Sequence, residues 1–216
     1  NEQRLDNKDM ASLAQYEKLN GVISLSLRNN HFDYLGVQDL VNSPFLKNLT
    51  SLNLMSNAVG DKGLLLLAES PNLSQLESLN LESTGITALG ILALAQSSHL
   101  NRLREINLCG NDLREKGLRI LASSGNFKNL VKLRVSGVPV GDSGFQALVR
   151  SHTLSKLEEL EIMGNTITRK SLDSLVSTSK LEQLKKLDLR RNKLKEADLI
   201  FLADSPKLQD LDVLRF

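Results

Sequence analysis

Aliphatic and polar residues alternate along this chain in a pattern that repeats every 27 residues. In one part of the unit Leu52 and Leu54 flank a polar residue, and this period of two predicts a short β-strand with one buried face. Further along, Leu64, Leu67 and Ala68 have the spacing of a helix with one buried stripe, which predicts a helix over 63–69. The Ser70-Pro71 pair predicts the end of that helix, because proline cannot continue it.

The same columns recur in every unit without insertion or deletion. The segment Leu49-Thr-Ser-Leu52-Asn-Leu54-Met-Ser-Asn57-Ala-Val59 returns as Leu103-Arg-Glu-Ile106-Asn-Leu108-Cys-Gly-Asn111-Asp-Leu113, and this string resembles a leucine-rich repeat. The half that forms the helix resembles the ribonuclease-inhibitor-like subclass, and its 27-residue form is similar to arrays in bacterial proteins. The resemblance implies an α/β leucine-rich-repeat solenoid, a horseshoe with a parallel sheet on the concave face and helices on the convex face.

The repeat columns also predict the organisation of the chain. We expect a single domain over 1–216, with a partial repeat ending in a helix at 1–21, seven 27-residue repeats over 22–210, and a partial final strand at 211–216. Because neither end carries a recognisable polar cap, we expect the chain to be a piece of a longer array or to make contacts at its open ends.

Two columns contain departures that predict local irregularities. The asparagine column at the end of each strand, a candidate hydrogen-bond ladder, has Thr84 and Val138 in place of asparagine, and we expect the ladder to break at Val138. Pro139 follows Val138 and has no N–H that needs a hydrogen-bond acceptor, which reduces the cost of the missing asparagine. A glycine column at the start of the helices is lost at Ser171 and Asp198, so we expect the last two convex segments to turn differently.

The positions between the inward leucines predict the concave surface. Its first half is small and neutral, whereas its later half alternates in charge from Glu105 through Lys132 and Glu159 to Lys186. These charges either recognise a partner of mixed charge or pair across the strands and keep the face soluble. Methionine on an exposed face favours binding. The candidate partner-binding residues are Asn53, Met55, Asn80, Glu82, Asn107, Cys109, Arg134, Glu161 and Met163.

Composition supports an aliphatic repeat array and argues against an enzyme. Leucine supplies 46 of 216 residues, and the net charge is only +2. The three histidines, at 31, 99 and 152, fall in different columns on turns, and no zinc-ligand spacing or glycine-rich phosphate loop is present, so we expect no catalytic residue, no metal and no cofactor. No apolar run is long enough to span a membrane. The single cysteine, Cys109, fits a reducing compartment or a secreted protein without disulfides. The localisation thus stays open, with the cytoplasm favoured and a secreted effector as the alternative.

The resemblance implies protein binding, and we expect a partner protein on the concave face. The alternative is a non-catalytic scaffold or targeting segment of a larger protein, such as a bacterial effector. A basic cluster at 180–195 raises a third function, anion or nucleic-acid binding, but Lys185 and Lys186 lie one period after Glu158 and Glu159, and no aromatic residues are interleaved. On the convex side the apolar residues Leu65, Leu66, Leu92, Ile200 and Phe201 either pack between helices or form a second contact surface.

Overall fold

The computed structural model describes residues 4–216, apart from the side chain of Lys207. Over these residues strands and helices alternate along the chain. The strands are Ser24–Ser26 (β1), Ser51–Asn53 (β2), Ser78–Asn80 (β3), Glu105–Asn107 (β4), Lys132–Arg134 (β5), Glu159–Glu161 (β6), Lys186–Asp188 (β7) and Val213–Arg215 (β8). The helices are Asn7–Ala14 (α1), Tyr34–Asn42 (α2), Gly60–Glu69 (α3), Ala88–Gln96 (α4), Arg114–Ser123 (α5), Gly141–Val149 (α6), Arg169–Ser177 (α7) and Glu196–Ala203 (α8).

The eight strands form one parallel sheet in chain order, and each strand residue pairs with the residue 27 positions later, as Leu52 does with Leu79. Parallel strands lie about 4.8 Å apart, whereas a helix with its side chains is about 10 Å wide. The helical side of the array must therefore follow the longer arc, which makes the sheet the concave face. This arrangement confirms the predicted fold class, an α/β solenoid with the sheet inside and the helices outside.

The core lies between the sheet and the helices, where the repeat columns place it. Leu52, Leu54, Leu64 and Leu67 are each at most 1% exposed. Helix α3 begins three residues earlier than predicted, at Gly60, and ends at Glu69 with Ser70 as its C-cap. Pro71 then opens a short 3₁₀ helix, Pro71–Leu73, so the Ser-Pro pair ends one helix and begins another.

The asparagine column forms a ladder between neighbouring repeats. The Asn111 amide donates to the carbonyls of Leu81 and Leu108, at 2.7 and 3.0 Å, and its Oδ1 accepts the backbone N–H groups of Thr84 and Ile86. One side chain thus joins the ends of two strands and satisfies backbone groups that the turn leaves unpaired.

The ladder is interrupted where the column lacks asparagine. The Thr84 hydroxyl makes the bond within its own repeat, to the Leu81 carbonyl at 2.6 Å, but does not reach back to the carbonyl of Leu54. Val138 is fully buried and contributes only its backbone N–H, which donates to Asn165 Oδ1. The predicted break at Val138 is confirmed. The Asn57 amide still donates to the carbonyls of Leu27 and Leu54, but among the described residues its buried Oδ1 has no hydrogen-bond partner.

The glycine column sets how closely neighbouring helices approach. A Cβ at Gly90 would lie 2.6 Å from Oδ1 of Asp61 and 3.0 Å from Cδ2 of Leu64, and one at Gly36 would lie 3.0 Å from Cγ of Met10. The absence of a side chain at these two positions therefore lets the helix pack closely against side chains of the helix before it. Ser171 and Asp198 occupy this column in α7 and α8, and Asp198 turns its carboxylate toward Lys195 N and Arg169.

A hydroxyl after each helix fastens that repeat to the preceding one. The Ser43 hydroxyl donates to the carbonyl of Ala14 at 2.6 Å, and Ser70 does the same to Val41 at 3.1 Å. The bond recurs at Ser97, Ser124, Ser151 and Thr178. In the described structure the next member, Ser205, makes no such bond to Val176. Of the two convex segments that were expected to differ, the one after α8 therefore lacks this bond, whereas the one after α7 keeps it through Thr178.

Candidate functional site: the concave sheet

Three asparagines of the concave surface hold the turn at the end of their own strands. Oδ1 of Asn53 accepts the backbone N–H of Met55 at 3.0 Å, Asn80 does the same for Glu82, and Asn107 does so for Cys109. Such a local bond closes a turn and fixes the direction of the residue that follows. These predicted contact residues therefore position their neighbours Met55, Glu82 and Cys109 on the rim of the sheet.

The side-chain NH₂ groups of these three asparagines differ in whether they can still donate a hydrogen bond to a ligand. The Asn107 amide donates to the Glu82 carboxylate at 2.9 Å, and the Asn107 side chain is buried. The amide nitrogens of Asn53 and Asn80 have no hydrogen-bond partner among the described residues, and both residues are half-buried. Asn53 and Asn80 can therefore donate a side-chain hydrogen bond to a ligand, whereas Asn107 cannot.

Cys109 is held in place by the next repeat. The backbone N–H of Ser136 donates to its Sγ at 3.3 Å. Burial raises the pKa of the Cys109 thiol, and the neighbouring carboxylate of Glu82 adds to the rise. A thiol with a raised pKa carries little thiolate at neutral pH, which makes Cys109 a poor nucleophile. Its geometry is that of an apolar contact residue.

The later half of the concave surface carries a chain of ion pairs. Nζ of Lys132 lies 2.6 Å from one Glu159 carboxylate oxygen, and Nζ of Lys186 lies 2.7 Å from the other. The hydrogen bonds from these two lysines lower the pKa of Glu159 to about 2. Arg134 pairs with Glu161 at 3.0 Å on the same strands. The predicted pairing across the strands is confirmed at these positions.

A second paired group lies at the edge of β7. The Arg190 guanidinium lies 2.6 Å from the Asp188 carboxylate, and this contact lowers the pKa of Asp188. Arg215 approaches the same carboxylate at 3.8 Å. Asp188 is almost fully buried, so its negative charge is matched by two arginines that remain partly exposed.

Glu105 differs from the other charged residues of its column. It lies beside Lys132 in the sheet, but the Lys132 ammonium turns toward Glu159. Glu105 is exposed and forms no ion pair among the described residues. Its carboxylate is therefore free to pair with a ligand.

Where the neutral and charged halves meet, the sheet has a shallow depression of about 130 Å³. Three predicted contact residues, Asn80, Asn107 and Arg134, line it. Ser78, Glu105 and Lys132 line it as well and were not among the predicted contact residues. They stand in the neighbouring column, two residues before Asn80, Asn107 and Arg134 on the same strands, and their strand positions could have identified them.

The two methionines lie on opposite sides of this depression. Met55 and Met163 are both half-exposed and are four repeats apart, which corresponds to about 19 Å across the sheet. They do not meet in one pocket. A ligand that contacts both must cover most of the sheet, which is the size of a protein surface and larger than a metabolite.

Alternative sites find less support in the described part of the chain. No group of three or more His, Cys, Asp or Glu residues in it is placed to hold a metal ion. The three histidines lie on turns outside the strands, as predicted. Within residues 4–216, no helix has the length and apolar character needed to cross a membrane.

The basic cluster near the C-terminus is partly neutralised. Lys185 lies 3.1 Å from Glu158, and Lys186 and Arg190 are paired as described above. The predicted neutralisation by the preceding repeat is confirmed for both lysines. What remains is a short stretch of unpaired charge around Arg191, and the sequence from 180 to 195 contains no aromatic residue on which a base could stack.

Of the convex apolar residues, Leu65, Leu92 and Ile200 are exposed, by 46, 37 and 59% of their surface. Leu66 and Phe201 are half-buried and pack against the core, and Phe201 also stacks on the Arg169 guanidinium at 3.5 Å. Leu89 joins the exposed group at 62%. The expectation of helix packing thus applies to two of the five residues only.

Comparison with known proteins supports the fold. A family model described as "Leucine Rich repeat" matches residues 45–68 and 73–95. Internalin C2 from Listeria monocytogenes is structurally similar with a TM-score of 0.58 and 23% sequence identity, over 92% of this chain and 82% of that one. Internalin F from the same organism has a TM-score of 0.49 and 19% identity, over 93% of this chain and 62% of its own length, which is less than two thirds. Curated proteins give no match. The chain thus contains leucine-rich repeats and has the leucine-rich-repeat solenoid fold.

Proposed function

We propose that this chain is a protein-interaction module that binds a partner protein through its concave sheet. The observation that carries the proposal is the depression between β3, β4 and β5, where the unpaired Glu105 carboxylate and the free Asn80 amide stand beside Arg134. Leucine-rich-repeat folds commonly bind proteins, but a fold alone does not fix a function, so the argument rests on this surface.

The distribution of unused polar groups supports the same surface. On β5, β6 and β7 the charges are paired within the sheet, and an ion pair already made has little left to offer a ligand. On β2, β3 and β4 the amides of Asn53 and Asn80 and the carboxylate of Glu105 are unpaired. Met55, Cys109 and Met163 add polarizable apolar contacts around them. We propose that the partner contacts the neutral half through hydrogen bonds and its rim through apolar side chains.

The test replaces three exposed concave residues by lysine in one variant: Met55→Lys, Glu105→Lys and Met163→Lys. Asn107 is left unchanged because its side chain is buried and holds a turn. Proteins captured by the wild-type chain are identified, and the dissociation constant of the purified partner is measured for both proteins. We expect the variant to bind at least about tenfold more weakly, which corresponds to about 1.4 kcal/mol.

A matched control carries the same change in net charge on the convex side: Leu65→Lys, Glu69→Lys and Leu92→Lys. All three residues are exposed. Thermal unfolding checks that both variants keep the fold. If the concave variant binds as well as wild type while the convex variant loses binding, the concave assignment is wrong and the convex apolar group is the contact surface.

A further inference from the structure

The last repeat stands away from its neighbour on the convex side and leaves a groove of about 670 Å³. Its walls are the end of α7 and the segment that leads out of α8. Most of its lining is apolar and includes Leu175, Val176, Leu181, Leu184, Leu208 and Leu211. In the concave sheet the same two repeats remain joined, because β7 and β8 pair in the regular register from Lys186 to Asp188.

The groove lies where an interaction made by the other repeats is missing. In six earlier repeats the hydroxyl after the helix donates to a carbonyl of the preceding helix, and the equivalent Ser205 does not. Asp198 also replaces the glycine that would let α8 approach α7. Ser205 is only 8% exposed, and in the described structure its hydroxyl has no hydrogen-bond partner. It lines the groove, so this nearly buried polar group faces the open space.

The rim of the groove is acidic. Glu182 and Asp210 line it, both are exposed, and neither forms an ion pair among the described residues. Among the side chains that the structure describes there, none that lines the groove is a lysine, an arginine or a histidine. Such a groove repels an anion. A ligand with a cationic group next to an apolar group can pair its charge with the carboxylates and place its apolar group against the leucines.

We propose that this groove binds a peptide segment of a partner protein that places a large apolar side chain between α7 and the last repeat and a lysine or arginine beside Glu182 and Asp210. The volume lies within the range of about 300–1,000 Å³ that is usual for ligand pockets, which is enough for an apolar side chain and its neighbours. The Ser205 hydroxyl supplies a hydrogen bond to the peptide backbone. The groove shares no lining residue with the depression in the concave sheet, so the proposal stands independently of the function proposed above.

The test selects peptides from a displayed library of random sequences on the full chain and measures the affinity of synthetic copies by fluorescence anisotropy. We expect the selected peptides to carry a basic residue next to a leucine, methionine or aromatic residue. The variant Glu182→Lys with Asp210→Lys should bind them at least about tenfold more weakly, because it places like charges together. The neutral variant Glu182→Gln with Asp210→Asn should lie between the two.

The control variant Glu17→Lys with Glu69→Lys makes the same change in net charge at exposed positions outside the groove, and we expect it to bind like wild type. The concave variant Met55→Lys, Glu105→Lys and Met163→Lys should also bind like wild type. The proposal is overturned if no peptide is enriched, if the enriched peptides lack a basic residue, or if the charge-reversed variant binds them as tightly as the wild-type chain does.

Discussion

The Lys132 ammonium and the Glu159 carboxylate, one repeat apart on adjacent strands, lie 2.6 Å from each other on the concave sheet. Lys186 approaches the other oxygen of the same carboxylate from the opposite side. One negative charge is thus shared by two positive ones, and the pKa of Glu159 falls from 4.5 to about 2. A carboxyl group whose pKa is lowered by folding makes the folded state more stable when it is ionised.

This arrangement predicts a pH dependence of stability. The contribution of Glu159 is fully present above pH 4.5, the pKa of the unfolded chain, and is lost as the pH falls toward 2. Because the carboxylate is 24% exposed, we expect about 1–2 kcal/mol. Urea unfolding between pH 2 and pH 6 measures it. Glu159→Gln should remove this part of the acid sensitivity, whereas Glu105→Gln, at a residue without an ion pair, should leave it unchanged.

Arg114 begins α5 in the left-handed backbone region, with a φ of 51°, where the corresponding residues of α3 and α6 are Gly60 and Gly141. A side chain in this region costs about 1–2 kcal/mol. The ion pair of Arg114 with Asp112 is exposed and stabilises little. We expect Arg114→Gly to raise the free energy of unfolding by about 0.5–1 kcal/mol, measured by urea titration.

Gly141→Ala, at the equivalent position of α6, is the matched control for Arg114→Gly. No atom lies within 4 Å of the Cβ it would gain, so any change in stability comes from the backbone conformation alone. We expect a loss of about 1 kcal/mol. A destabilised Arg114→Gly variant would show that the side chain of Arg114 contributes more than its backbone strain costs.

The ladder predicts unequal costs for two substitutions in one column. Asn111→Ala removes a side chain that joins two repeats by donated and accepted bonds, and we expect a loss of about 2–4 kcal/mol. Thr84→Ala removes a bond within one repeat, and we expect a loss of about 1 kcal/mol. Chemical denaturation of both variants gives the comparison, and equal losses would show that the bonds between repeats add nothing.

The hydroxyls that follow the helices allow a similar comparison. Ser97→Ala removes the bond to the Ala68 carbonyl, and we expect a loss of about 1–2 kcal/mol. Ser205→Ala removes a hydroxyl that makes no such bond, and we expect a change within about 0.5 kcal/mol. Both are measured by thermal and urea unfolding. A large loss at Ser205 would mean that the groove between α7 and the last repeat closes in solution.

The repeat columns predicted the fold because the same few apolar side chains are buried between the sheet and the helices in each repeat. Leu52 and Leu54 must face inward from a strand, and the 27-residue spacing places Leu79 beside Leu52 without any further information. The consequences of Val138 and Asp198 could also be predicted, since each breaks a column whose physical role is local. The ribonuclease-inhibitor-like subclass and the bacterial origin stay predictions.

The concave site was less predictable because its chemistry depends on which way long side chains turn. The column alone placed Lys132 between Glu105 and Glu159, and only the structure shows that it bonds to Glu159. Asn107 has the same column position as Asn80, yet its amide is bonded to Glu82 because a carboxylate happens to lie one repeat earlier. The sequence is enough to predict a contact where a side chain has one possible partner in the neighbouring repeats. It is not enough where two partners compete for the same side chain, as Glu105 and Glu159 do for Lys132.

The unmade bond at Ser205 has a consequence for how the array comes apart. In a solenoid each unit is held chiefly by its neighbours, so the global unfolding free energy is divided among the junctions between repeats. The junction between α7 and α8 lacks both the hydroxyl bond and the close helix contact, and this makes it the weakest. We therefore expect the amides of 196–216 to exchange with deuterium before those of the central repeats, with opening spreading inward from there.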